Sequence, residues 1–281
     1  MTAKAGPGSP GSPGGGRSNP RQLKVRLRSG KSRTPASKRW LTRQLNDPYV
    51  ARARRGGLRS RAAFKLAEID ERFHLLKPGA KVADLGAAPG GWSQIAAQRV
   101  GAASDSPDRG RQIRADAGPW DQVPNDQAGP AEDRIAKLGR RAAVHGKVVA
   151  IDILDMTPIP GVEFVRLDFL DPAAPEELRS LLGGPADLVL SDMAANATGH
   201  RKTDHLKIMA LAEAAAMFAR QSLRPGGAFL CKVLQGGTEG ELLTGLKRDF
   251  ATVKHVKPAA SRADSAELYV LALGFRGGTI K

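Results

Sequence analysis

Residues 84–92 read Asp84-Leu-Gly-Ala-Ala-Pro-Gly-Gly-Trp92. They overlap the apolar run Lys81–Leu85 and open a helical pattern over Trp92–Val100, so a strand passes through a glycine turn into a helix. Glycine lets the backbone turn tightly and approach a ligand, and the start of a helix offers N–H groups that have no acceptor of their own. The stretch is neither G-x-G-x-x-G nor G-x-x-x-x-G-K-[ST], so a hydride-transfer dinucleotide site and P-loop chemistry both lose ground.

Outward from this turn, six more short β-rich runs alternate with helical patterns: Lys147–Ile151, Glu163–Leu167, Asp187–Ser191, Ala228–Leu234, Thr252–Val256 and Glu267–Leu273. Seven strands with intervening helices predict an α/β sheet. Upstream, Phe64, Leu66, Ile69 and Phe73 recur at near-helical spacing, which predicts a helix from near Ser60 that ends before Lys77-Pro78-Gly79. Over Thr203–Leu223, Leu206, Met209, Ala210, Ala214, Met217 and Phe218 form a stripe expected to face the core, with Pro225-Gly226-Gly227 as the stop. Two acids stand at strand ends, Asp152 after Val148–Ile151 and Asp168 after Phe164–Leu167. In a doubly wound sheet, an acid after the second strand can accept both ribose hydroxyls of a nucleoside, although either residue could equally be a cap or turn acid.

The chain has 281 residues, with 41% hydrophobic side chains, 5% aromatic and a formal charge of +16. Residues 1–61 hold 16 Lys or Arg and the single acid Asp47, whereas residues 62–281 hold 28 basic and 27 acidic residues. The positive charge is therefore an N-terminal property. A basic arm condenses on a polyanion by releasing its counterions, so nucleic acid is the expected partner, with a solubilising tail as the bland alternative. Residues 1–36, rich in Gly, Pro, Ser and Arg, are expected to be disordered, and the stretch at about 102–141, with seven basic and seven acidic residues, to be an exposed insertion. One cysteine, Cys231, excludes an intramolecular disulfide, and five scattered histidines do not compose a zinc site with it. No run is apolar enough to span a membrane and no secretory signal is evident, so the expected location is cytoplasmic.

The glycine turn, the order of strands and the acid after the second strand resemble the class I S-adenosylmethionine-dependent methyltransferases. This implies a Rossmann-like fold, a seven-stranded mixed sheet with helices on both faces. A narrower resemblance is carried by Leu58-Arg-Ser-Arg-Ala-Ala-Phe-Lys-Leu66, Asp84–Gln94, Leu190-Ser-Asp-Met-Ala-Ala-Asn196, Phe229-Leu-Cys-Lys-Val-Leu-Gln-Gly236 and Ser261-Arg-Ala-Asp-Ser-Ala-Glu-Leu-Tyr269. Together these are similar to the FtsJ-type ribosomal RNA large-subunit methyltransferase E family, over roughly residues 46–101 and 144–275. The resemblance implies 2′-O-methylation of a uridine ribose in 23S ribosomal RNA, at the A-loop of the 50S subunit, with S-adenosylmethionine as cofactor, no metal and no obligate protein partner. It also implies a Lys-Asp-Lys-Glu tetrad at Lys65, Asp192, Lys232 and Glu267, and cofactor contacts at Gly90, Trp92, Asp152, Asp168 and Asp192. The family usually carries Pro where Ala195 stands, a difference that removes no functional group.

The chemistry explains the wish for such groups. A ribose hydroxyl is a poor nucleophile and a sulfonium methyl is already activated, so the enzyme must align oxygen, methyl and sulfur and deal with one proton. Lys232, inside an apolar strand where an unpaired lysine would be costly, is the expected central residue, either as base or as a positioning group. As a base it would have to be shifted down by burial or by Lys65, a shift that Asp192 would oppose. Two alternatives remain at this stage: a 2′-O-methyltransferase acting on transfer RNA, and a non-catalytic ribosome-assembly factor that binds through the arm.

Overall fold

In a computed structural model of the chain, residues 35–102, 145–195, 198–235 and 240–277 are described. The expected disordered arm lies outside them up to residue 34, and the expected insertion from residue 103 on. Contacts divide the chain into two units, Met1–Asp47 and Pro48–Lys281. In the first, the described residues form the helix α1 (Pro35–Leu45), which opens within the last two residues of the expected arm and closes with Asn46 Nδ2 donating to Thr42 O at 2.7 Å.

The second unit runs α2 (Pro48–Arg55), α3 (Ala62–Phe73), β1 (Lys81–Leu85), α4 (Gly91–Val100), β2 (Lys147–Asp152), β3 (Val162–Arg166) and α5 (Ala174–Leu182). It continues with β4 (Ala186–Ser191), α6 (Arg201–Ser222), β5 (Leu223–Leu234), α7 (Gly240–Asp249), β6 (Phe250–Val256) and β7 (Glu267–Phe275). The strands form one sheet in the order β3-β2-β1-β4-β5-β7-β6, parallel except for β7, which is antiparallel to both β5 and β6. From β1 the chain winds outward to β3, then returns to the other side of β1 with β4. The crevice between β1 and β4 is thus the switch point where open α/β sheets bind ligands.

Every central strand is buried on both faces, and residue parity decides which core each side chain joins. Val82, Val148, Leu188, Leu190, Leu230, Tyr269 and Leu271 pack with α3 and α4 on one side. Ala83, Val149, Val189, Phe229, Cys231, Val270 and Ala272 pack with α5, α6 and α7 on the other.

Two expectations change. The buried side of α6 is Met209, Ala212, Ala215, Ala216, Phe218 and Ala219, while Leu206 and Met217 of the expected stripe are 62% and 58% exposed and Ala210 also faces solvent. The expected stripe therefore straddles the edge of the buried face, with Met209, Ala214 and Phe218 on the core side, because small alanines let the helix approach the sheet closely and hydropathy alone does not rank them above Leu or Met. β5 also begins at Leu223 rather than Ala228: Leu223 pairs with Ala186, and regular pairing resumes at Leu188 with Ala228, the chain between absorbing Pro225-Gly226-Gly227 as an irregularity. Among the described residues no helix is long and apolar enough to cross a membrane.

Candidate active site

The parity that sorts the two cores also gathers the candidate residues. Lys232 shares its side of β5 with Leu230 and lies directly across from Tyr269 of β7. Glu267 opens β7 two residues before Tyr269, Asp192 follows β4 in phase with Leu190, and Lys65 lies on α3, the helix that covers this face. Because β7 runs antiparallel to β5, its first residue sits beside the last residues of β5, so all four arrive at the carboxyl edge of the parallel strands.

There they form a continuous network. Lys65 Nζ makes an ion pair with Glu267 Oε1 and donates to the Tyr269 hydroxyl at 3.1 Å. That hydroxyl lies 3.0 Å from Asp192 Oδ1 and 3.1 Å from Glu267 Oε1, so its one proton is shared between two carboxylates. Lys232 Nζ donates to the Asp192 carbonyl oxygen at 2.6 Å and lies 3.2 Å from Asp192 Oδ1. Tyr269, fully buried and absent from the residues singled out by sequence, is the bridge between the two lysine-carboxylate pairs. Its signal was its phase: two residues after Glu267, it must face the same way.

Burial, followed by the Asp192 and Glu267 carboxylates, pushes the Tyr269 hydroxyl well above its ordinary value, so it stays a donor at any working pH. For Glu267 burial acts upward, but the charge and hydrogen bond of Lys65, with Lys232 and Tyr269 behind, outweigh it and hold the carboxyl below its usual value. Ser261 Oγ, 3.3 Å from Glu267 Oε1, adds a further donor.

The glycine turn borders this network. Asp192 N donates to Leu85 O at 3.2 Å, and a Cβ on Gly86, whose φ is +78°, would meet Met193 at 2.6 Å, so glycine at 86 lets the chain after β4 lie directly on the turn. At Gly90, φ +103°, a Cβ would meet Ile159 Cδ1 and Met156 Sδ at 2.7 Å each. This glycine makes room for the β2–β3 loop rather than only for a ligand. Gln94 N is satisfied by Gly90 O, which leaves the amides of Gly91, Trp92 and Ser93 without an acceptor inside α4.

Beneath the turn Asp84 is wholly buried. Its Oδ2 accepts from Ser93 Oγ at 2.6 Å, and Oδ1 has no hydrogen-bond partner among the described residues. Burial, opposed by the Ser93 bond and reinforced by Asp192 and Asp152, raises its carboxyl to about 7. Open helix amides beside three carboxylates suit a ligand that carries both an anion and cationic groups.

The other expected cofactor residues are placed differently from one another. Asp152 closes β2, its Oδ2 accepting from Ala88 N and its Oδ1 from Leu154 N, both at 2.8 Å, so it braces the glycine turn itself. Asp168 is exposed beyond β3 and caps its own turn through Leu170 N at 2.9 Å. The Trp92 indole points into the core, donating to Ala62 O at 2.9 Å and packing on Tyr269 with ring centroids 5.5 Å apart, which leaves only its backbone amide for a ligand. Among the described residues no group of three or more His, Cys, Asp or Glu side chains is disposed to hold a metal ion.

A doubly wound sheet with an antiparallel strand between β5 and β6, and a glycine turn at its switch point, defines a Rossmann-like methyltransferase. The chain belongs to the FtsJ-like methyltransferase family, whose profile matches residues 58–275. It is 57% identical over 257 residues to the ribosomal RNA large subunit methyltransferase E of Azorhizobium caulinodans, across 92% of this chain and 91% of that one. To the protein of the same name from Rhodopseudomonas palustris it is 55% identical over 260 residues, across 92% and 93%. The crystal structure of a ribosomal RNA methyltransferase from Plasmodium falciparum superposes with a TM-score of 0.56 at 25% identity, over 78% of this chain and 100% of that chain.

Proposed function

We propose that this protein transfers the methyl group of S-adenosylmethionine to the ribose 2′-oxygen of a uridine in large-subunit 23S ribosomal RNA, at the A-loop of the 50S subunit. The observation that carries the reading is the network Lys65, Glu267, Tyr269, Asp192 and Lys232 set against the glycine turn. The names of the relatives support the RNA, and the donor set supports the cofactor. Such a molecule brings a carboxylate that fits the open amides of Gly91, Trp92 and Ser93, an ammonium that fits Asp84 Oδ1 and Asp192, and ribose hydroxyls that fit Asp152.

When bound, the cofactor supplies a methyl group already activated on a sulfonium. The protein's own residues then have to align the acceptor and receive a proton. Lys232 Nζ, fixed by the carbonyl and carboxylate of Asp192, meets the 2′-hydroxyl and holds its oxygen for in-line attack on the methyl group. Lys65 and Glu267 neutralise each other beside it and orient the ribose, and Tyr269 keeps the Asp192 and Glu267 carboxylates from repelling. Within the basic segment 1–61, the side chains that the fold does not engage neutralise RNA phosphates, their charge supplying affinity without sequence preference.

The test is methyl transfer from labelled S-adenosylmethionine to 50S subunits from a strain lacking the protein, with the modified nucleotide mapped, beside the Lys232→Ala variant. Label on one A-loop uridine ribose, absent with Lys232→Ala although the variant still binds cofactor, is the expected result. Unchanged turnover in Lys232→Ala overturns the site assignment, and label found only on transfer RNA overturns the substrate.

A further inference from the structure

The tripeptide Arg59-Ser60-Arg61 sits in the most basic part of the chain, and on charge alone its guanidiniums would be given to RNA phosphates. The structure uses them otherwise. Arg59 Nη1 donates to Thr157 O and Nη2 to Pro158 O, both at 2.6 Å, a two-pronged grip on consecutive carbonyls of the β2–β3 loop. Its backbone N donates to Gln94 Oε1 at 3.1 Å, while Gln94 Nε2 donates to Gly57 O at 3.0 Å, so the first turn of α4 holds the arginine from behind. Its Cδ lies 3.1 Å from the point where a Cβ on Gly90 would stand, beside Met156 and Ile159, both buried. Next to it, the Ser60 side chain packs so tightly on Gly91 that no Cβ could be added there. Arg61 reaches the opposite way and donates to Ala260 O, whose own N–H is held by Glu68 Oε2 at 2.8 Å, one residue before the Ser261 that bonds Glu267.

We propose that Arg59 is a positioning residue for the cofactor side of the site: its guanidinium fastens the β2–β3 loop across the glycine turn and is not an RNA contact. This rests on the reading of the turn as the S-adenosylmethionine site. The loop begins at Asp152, whose carboxylate already braces the turn through Ala88 N, so its seating fixes both that acid and the two apolar side chains against Gly90. Leu154 N to Asp152, Met156 N to Asp155 and Val162 N to Ile159 O are short-range bonds within the loop, and the fork from Arg59 ties it to the α2–α3 segment. A lysine keeps the charge but lacks the planar fork that spans two adjacent carbonyls.

The charge-preserving variant therefore separates the two roles. The intact protein, Arg59→Ala and Arg59→Lys are compared for S-adenosylmethionine affinity by calorimetry, for kcat and the cofactor KM in methyl transfer, and for the salt dependence of binding to an A-loop ribosomal RNA fragment. Both variants are expected to bind cofactor about tenfold more weakly, the net effect of losing two charge-assisted but solvent-exposed hydrogen bonds, with kcat at saturating cofactor and the salt slope for RNA unchanged. Cofactor affinity in Arg59→Lys within twofold of the parent overturns the proposal, as does an RNA salt slope that falls by about one in Arg59→Ala and returns in Arg59→Lys. Should Arg59→Ala not fold, Arg59→Lys alone decides, supported by amide exchange that is expected to accelerate over residues 153–161 and nowhere else. A parent protein that binds no S-adenosylmethionine overturns this inference and the proposed activity together, whereas normal parent binding with an indifferent Arg59→Lys overturns this inference alone.

Discussion

Replacing Asp84 with Asn removes a titration without changing the volume of a wholly buried side chain, and the consequence for stability can be worked out. In the unfolded chain the carboxyl loses its proton near 3.8, whereas in the folded protein burial holds it protonated to about 7. Between these values the unfolded state has released a proton that the folded state retains, so the wild-type protein loses stability as pH rises from about 4 to about 7 and levels off above that. The shift is about three pH units, each near 1.4 kcal/mol, which makes the loss on the order of 4 kcal/mol. The Asn variant does not titrate there and still reaches Ser93 Oγ. Urea unfolding of both proteins without cofactor, from pH 4.5 to 8, should therefore show the variant gaining on the wild type across the window, with equal denaturant slopes. Taking the difference at each pH cancels the other ionisations the two proteins share. Curves that stay parallel to within about 1 kcal/mol from pH 4.5 to 7.5 would refute the claim that this carboxyl is held neutral by burial.

Three other outcomes are open to measurement. Tyr269→Phe keeps the ring packed on Trp92 but removes the proton shared by Asp192 and Glu267; kcat should fall about 10- to 100-fold, corresponding to the cost of a lost buried hydrogen bond, and full turnover would dismiss Tyr269 as a bridge. Gly90→Ala should destabilise by about 1–3 kcal/mol in urea, since the new methyl meets Met156 and Ile159 at a backbone angle that side chains avoid; a melting curve identical to wild type would contradict that packing. Deleting residues 1–36 removes eight Lys or Arg and no acid. It should weaken binding to ribosomal RNA and flatten its salt dependence while leaving the melting temperature alone, and an unchanged slope would show that these charges do not meet phosphates.

The sheet was legible because each strand carries its own signal: β1 matches the predicted Lys81–Leu85, and the others differ by a few residues at their ends. Those ends moved where tertiary pairing extended a strand beyond its apolar run, as with Glu267, whose strand continues through Gly274 to Phe275 against β6. The reading of α6 gave the helix but only half of its buried face, for a different reason. A helix rich in alanine has two candidate faces, and which one is buried depends on how closely the sheet lies beneath it. At the site, strand parity could have placed Lys232, Tyr269 and Glu267 on one face once β5 and β7 were paired, but that pairing is a long-range contact no local pattern displays. The indole of Trp92 and the guanidinium of Arg59 show the same limit, because what their donors meet, Ala62 O and the carbonyls of Thr157 and Pro158, are backbone atoms that sequence does not distinguish.

Cys231 sits one residue from Lys232 but on the opposite face of β5, sealed under α6, and burial pushes its thiol up to about 12. Thiolate is the form that alkylating reagents and peroxides attack, and at neutral pH this position supplies almost none. As the sole cysteine of the chain it leaves the folded protein, for practical purposes, silent toward maleimide chemistry. A single cysteine introduced on the basic arm or on an exposed arginine of α2 would then take a spectroscopic label or a crosslinker at one position, with no background thiol to remove first.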